Sequence, residues 1–141
     1  MSKIFIDTNI LVYTADTRNT KKCNICRSCL QSLDKEKKIG VISTQVLQEF
    51  YVTLTKKLKI DPLMTKNIMS FFDNFEIILI DQEIIKDAID ISILSQISFW
   101  DSLIIAAAKK AKCKQIWSED LNAGQLIQGV KIINPCKKTC K

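Results

Sequence analysis

Short apolar runs alternate with longer segments of helical period along most of the chain, and this alternation limits the possible folds more than any other feature. Runs suited to strands occur at Lys3–Ile6, 40–42, 76–80, Gln115–Trp117 and Val130–Ile133. Between them lie candidate helices at Thr8–Ala15, 20–33, 44–58, 62–72, 82–94 and 100–111. The 44–58 segment carries Val46, Leu47, Phe50, Leu54 and Leu58 on one stripe. Pro62 follows Asp61 as a first-turn proline follows an N-cap. Such an order predicts an α/β fold with a mostly parallel sheet.

The 141 residues suit one domain. Only three Gly and two Pro are present, and no linker or repeat divides the chain. The start, Lys3-Ile4-Phe5-Ile6, lacks the pattern of a signal peptide. The longest unbroken apolar stretch, 103–108, is far short of a membrane span, so a cytoplasmic protein without membrane contact is expected.

Two absences narrow the chemistry. There is no histidine, which excludes Ser-His and Cys-His nucleophiles and the histidine pair of a metal-free ribonuclease. Neither GxxxxGK nor GxGxxG occurs, so no glycine-rich phosphate loop is present. Any chemistry has to run on carboxylates, cysteines or lysines. The net charge of +6 favours a polyanionic partner. The lysine clusters 35/37/38, 56/57/59 and 109/110/112/114 fall where helices should end, so they equally suit capping of helix dipoles.

Four acids are the candidates, and each has an ordinary structural alternative. Asp7 follows the first strand and could cap the next helix. Asp101 lies three residues after Ser98, the spacing of a capping box. Glu49 flanks its helix's apolar stripe, about 60° from Val46 on a helical wheel. Asp120 could be a turn residue. If the strands before Asp7 and Asp120 are parallel neighbours, however, both acids face one crevice at the carboxyl ends of the sheet.

The surrounding motifs give these acids a common context. Ile6-Asp7-Thr8-Asn9-Ile10-Leu11 resembles the first-strand signature of PIN domains. Ser43 to Phe50, with Glu49 before an aromatic, resembles that family's second segment, and Phe99-Trp100-Asp101-Ser102 through Ala108 its third. Trp117-Ser118-Glu119-Asp120-Leu121-Asn122-Ala123-Gly124-Gln125, followed by 130–135, resembles the fourth and the closing strand. This last segment is similar to the toxin ribonucleases of bacterial VapBC-type toxin–antitoxin pairs.

The resemblance implies a three-layer α/β/α sandwich of about five strands over residues 1–135, with 136–141 as a short basic tail. It also implies a Mg²⁺- or Mn²⁺-dependent endoribonuclease acting on RNA and, for toxins, a cognate antitoxin and a homodimer. By position, Asp7, Asp101, Glu49 and Asp120 match the catalytic and metal-binding acids, and Asn9 and Ser118 the supporting polar residues. Asp120 rather than Glu119 fits the family spacing, and Glu119 would then point to the opposite face. Oxygen-only ligands agree with one or two hard cations. Crowding four acids should also raise at least one of their pKa values in the metal-free protein.

Other readings stay open. A haloacid-dehalogenase-like phosphatase needs a second Asp two residues after the first, and Asn9 stands there. A PIN domain could bind RNA without cutting it. Cys23, Cys26 and Cys29, with Cys136 and Cys140, could form a zinc module, although Cys29 should drift off the helix face shared by the other two. Reduced, partly buried thiols are the simpler expectation, and Cys113 should be a core residue.

Overall fold

The computed structural model describes residues 2–136. Lys137, Lys138, Cys140 and Lys141, on which the basic tail and part of the cysteine reading rest, lie outside them. The strands are β1 (Lys3–Ile6), β2 (Ile39–Ser43), β3 (Glu76–Ile78), β4 (Gln115–Trp117), β5 (Leu126–Ile127) and β6 (Val130–Ile133). The helices are α1 (Thr8–Ala15), α2 (Thr20–Lys35), α3 (Thr44–Val52), α4 (Pro62–Met69), α5 (Gln82–Ser95) and α6 (Phe99–Lys110). The sheet order is β3-β2-β1-β4-β6-β5, parallel except for β5 against β6.

Central β1 explains its own sequence: Ile4, Phe5 and Ile6 are all buried, as an apolar run covered on both faces requires. Helices flank the sheet. Helix α6, buried along Ser102–Ala108, packs on β2, β4 and β6, while α2 packs on β2. Helix α1 packs against α2 and α3 and so brings the chain after β1 beside the start of α3. No single helix among the described residues is long and apolar enough to cross a membrane.

Three local features depart from the sequence expectation. The 44–58 helix is α-helical only to Val52, and Thr53–Lys57 form a π-helical turn that keeps Leu54 buried. The 62–72 helix tightens into a 3₁₀ turn at Ser70–Asn74. A sixth strand, β5, was not anticipated. Gln128 and Gly129, with φ of 54° and 80°, turn β5 back onto β6 with Ile127 opposite Val130. A two-residue turn with both φ positive suits the twist of a hairpin, and glycine adopts it at low cost.

The lysine clusters do stand at helix ends: Lys35 closes α2, Lys56 and Lys57 the π-helical turn, and Lys109 and Lys110 α6. All three cysteines of α2 are buried, Cys29 as fully as Cys26. The inward stripe runs Cys26, Cys29, Leu30, Leu33, so Cys29 lies within it and Cys23 at its edge.

Gly40 makes room for the aromatic packing beside β2, where a Cβ would come within 2.5 Å of the Phe75 ring. Gly40→Ala should therefore lower stability by about 1–3 kcal/mol, the usual cost of overpacking. Denaturant unfolding reads the difference, and an unchanged midpoint would show that Phe75 moves aside freely.

Candidate active site

Strands β1 and β4 lie side by side and parallel, with Ile6 opposite Trp117. The Asp7 backbone N–H continues the pairing by donating to the Trp117 carbonyl at 2.9 Å. Asp7 and the Ser118–Asp120 loop therefore leave the sheet at the same edge, where a crevice opens beyond the strand ends. Glu49 enters from α3 and Asp101 from the first turn of α6. All four acids line one cleft of about 670 Å³.

Asp7 is the most constrained. It is 7 % exposed and accepts hydrogen bonds from the Thr8 N–H (2.7 Å), the Ser118 hydroxyl (2.7 Å) and the Asn9 amide (3.4 Å). It caps α1 and also lines the acid cleft, so capping does not remove it from that cleft. Burial pushes its carboxyl up to about 6. The Ser118 and Thr8 hydrogen bonds oppose that shift, and the charges of Glu49 and Asp120 add to it. Desolvation thus outweighs the like-charge repulsion expected from sequence.

The supporting residues fix the other acids. The Asn9 amide donates to Asp120 Oδ2 at 3.0 Å, and its oxygen accepts from the Glu119 N–H at 3.0 Å. Ser118, fully buried, donates to Asp7 and accepts from the N–H groups of Asp120 and Leu121, both at 3.2 Å. Thr8, to which the sequence reading gave no role, donates to Glu49 Oε1 at 2.7 Å. Its place next to Asp7 in the first motif was the available signal. Glu119 turns away, accepting from the Tyr13 hydroxyl (2.6 Å) and the Lys22 ammonium (2.8 Å).

Asp101 makes only half of a capping box. The Ser98 hydroxyl accepts from the Asp101 N–H at 3.1 Å, but among the described residues the Asp101 carboxylate bonds nothing in return. It remains available to the cleft. Two cations, Arg18 and Lys57, also line the cleft, and Arg18 pairs with Asp16 at 3.0 Å.

A divalent cation suits this donor set. Five carboxylates line the cleft; Asp16 is paired with Arg18, while Asp7, Glu49, Asp101 and Asp120 have no ion pair among the described residues, and Asp7 is buried at an energetic cost that a hard cation would offset. Among the described residues, no three Asp, Glu or Cys side chains are already gathered tightly around one point. The same holds for the cysteines. The Cys23 thiol faces the Thr14 carbonyl at 3.6 Å, and the Cys26 and Cys136 sulfurs are 3.8 Å apart. Cys113 is buried in the core, as expected.

Because Asp7 titrates higher in the folded chain than in the unfolded one, its ionisation destabilises the metal-free fold. That loss accumulates as pH rises from about 4, the unfolded value, through about 6. In EDTA, Asp7→Asn should exceed wild type in stability at pH 7.5 by on the order of 2 kcal/mol, or several degrees in Tm. The advantage should fade toward pH 4. Thermal melts across that range measure it, and a variant less stable than wild type at pH 7.5 would refute it.

The comparisons with known proteins agree with this geometry. The profile of the family described as PIN domain matches residues 4–126. No curated protein matches the chain. Among solved structures, VapBC from Salmonella typhimurium, described as DNA bound, superposes with a TM-score of 0.69 at 18 % identity, over 96 % of this chain and 100 % of that one. VapBC2 from Rickettsia felis, bound to a DNA fragment from its promoter, gives 0.68 at 20 % identity, over 92 % and 96 %. VapC20 from Mycobacterium tuberculosis, described as a sarcin–ricin loop cleaving toxin, gives 0.62 at 15 % identity, over 83 % and 89 %. With the family profile spanning most of the sequence and the same fold in these structures, the chain belongs to the PIN-domain family.

Proposed function

We propose that this chain is a Mg²⁺- or Mn²⁺-dependent endoribonuclease and the toxin of a type II toxin–antitoxin pair. One observation carries the nuclease reading: Asp7, Glu49, Asp101 and Asp120, from four separate segments, line one cleft, and none of them forms an ion pair among the described residues. These four would hold one or two ions. When bound, the ion would polarise the scissile phosphate and ease the ionisation of an attacking water.

The chain's own residues supply the geometry. Ser118 and the Thr8 N–H hold Asp7 in one orientation, Thr8 Oγ1 holds Glu49, and Asn9 holds Asp120. Asp101, without a partner carboxylate bond, can adjust its position as the site fills. Arg18 and Lys57 attract the flanking phosphates toward the acids, and the +6 net charge favours RNA encounter overall.

The toxin reading rests on the VapBC likeness of the Ser118–Gln125 segment and on the superposition with toxin structures. Its partner would be a small antitoxin that presents basic side chains to the acidic cleft, where they substitute for cation charge. The resemblance to such toxins also implies a homodimer, which is the assembly expected here.

The test is incubation of purified protein with total RNA and Mn²⁺, with mapping of the new ends. Wild type should cleave, EDTA should stop it, and Asp7→Asn or Asp101→Asn should reduce the rate at least 100-fold while the fold is retained. Expression in a bacterial host should arrest growth in an Asp101-dependent manner, with relief by the neighbouring small protein. Full cleavage in EDTA or in Asp101→Asn would overturn the nuclease reading. Harmless expression of active enzyme would make it a housekeeping PIN nuclease.

A further inference from the structure

Trp100 precedes Asp101 at the start of α6, yet its side chain is 63 % exposed and lines the acid cleft. An indole is costly to leave in water, and a domain of this size can bury one, as it buries Trp117 at 7 % exposure. Phe99 stands behind it, ring centroids 5.3 Å apart and planes at 72°, so the indole is braced from the protein side. Beside it, Gln45 reaches into the wall of the same cleft. The Gln45 Nε2 donates to the Trp100 carbonyl at 3.2 Å, but its Oε1 is sealed from solvent and accepts no hydrogen bond among the described residues. Gln45 is only 7 % exposed, so that oxygen has lost its hydration without gaining a partner among the described residues.

We infer that Trp100 and Gln45 form a nucleobase subsite next to the carboxylates, in which a base of single-stranded RNA stacks on the indole and donates an N–H to Gln45 Oε1. The inference builds on the RNA reading above and adds what positions the strand. An exposed, braced aromatic face is what an unpaired base stacks on. Arg18 and Lys57 line the same cleft and provide the charge complement for the phosphates on either side of that base. The fixed Nε2 bond leaves Gln45 an acceptor only, so the partner has to be a donor, and every base carries an N–H on its pairing edge. Seating the base has to uncover Gln45 Oε1, which the closed wall seals from solvent. Stacking tolerates any base, so the subsite sets the distance from base to scissile phosphate more than the identity of the base.

Fluorescein-labelled hexa-adenylate, hexa-uridylate and a hexamer of abasic riboses, bound in EDTA and followed by anisotropy, test the subsite without any cleavage. Trp100→Ala should weaken binding of both base-bearing hexamers on the order of 10-fold, with Trp100→Phe recovering most of it. Gln45→Leu should weaken them about 3-fold or more at an unchanged melting temperature. The abasic hexamer should bind wild type as weakly as the adenylate binds Trp100→Ala, and should not respond to either substitution. Equal binding of abasic and base-bearing hexamers, or wild-type affinity in Trp100→Ala, would overturn the subsite. So would a Trp100→Ala protein that only changes from dimer to monomer in sedimentation, since the indole would then belong to a contact between copies. Absent cleavage with this binding pattern intact would remove the nuclease reading and leave the subsite standing.

Discussion

The hydrogen bond from the Asp7 N–H to the Trp117 carbonyl joins the ends of β1 and β4 and sets everything at the carboxyl edge of the sheet. It fixes the register that brings Ser118 to the Asp7 carboxylate at 2.7 Å. From Ser118 the network continues to the N–H groups of Asp120 and Leu121, and Asn9 ties the same loop back to α1. A one-residue slip between these strands would turn Asp7 and Ser118 to opposite faces. Positioning of the acids thus depends on the parallel pairing of two short buried strands more than on any interaction between the acids.

The burial that orients Asp7 also strains it. A carboxyl at 7 % exposure with three hydrogen bonds has a defined direction, yet its raised pKa shows that those bonds do not fully offset lost hydration. Natural sites accept such strain where function returns it. Here the functional return would be a cation in the cleft. Glu49 and Asp120, both exposed, incur no comparable burial and are held by single short bonds from Thr8 and Asn9. The cleft therefore has a rigid member, two tethered members and, in Asp101, one whose carboxylate is not held by any of the described residues.

Much of this was legible because the signals were local. The run Ile4-Phe5-Ile6 before Asp7 read as a strand and Leu103–Ala108 fell in a candidate helix, and both are buried as such, so the two acids beside them could be placed. The choice of Asp120 over Glu119 followed from the family spacing, which put Glu119 on the opposite face, and Glu119 does turn away, to Tyr13 and Lys22. What escaped were features set by distant contacts. Strand β5 has two residues and little pattern of its own, although Gln128-Gly129 offered a turn signal. The Thr8–Glu49 bond joins residues 41 apart and depends on how α1 packs against α3. Crowding was expected to raise at least one of the four acids; the elevation falls on Asp7 and comes mainly from desolvation, which depends on tertiary burial.

The central claim is that the acid cleft is a cation site organised by Asp7, and direct Mn²⁺ titration tests it without any RNA. Isothermal titration at pH 7.5 should show saturable binding to wild type. Asp7→Asn, which keeps the shape but removes the buried charge, should weaken it at least 10-fold. Equal Mn²⁺ affinity in the two proteins, or none in wild type, would contradict the account.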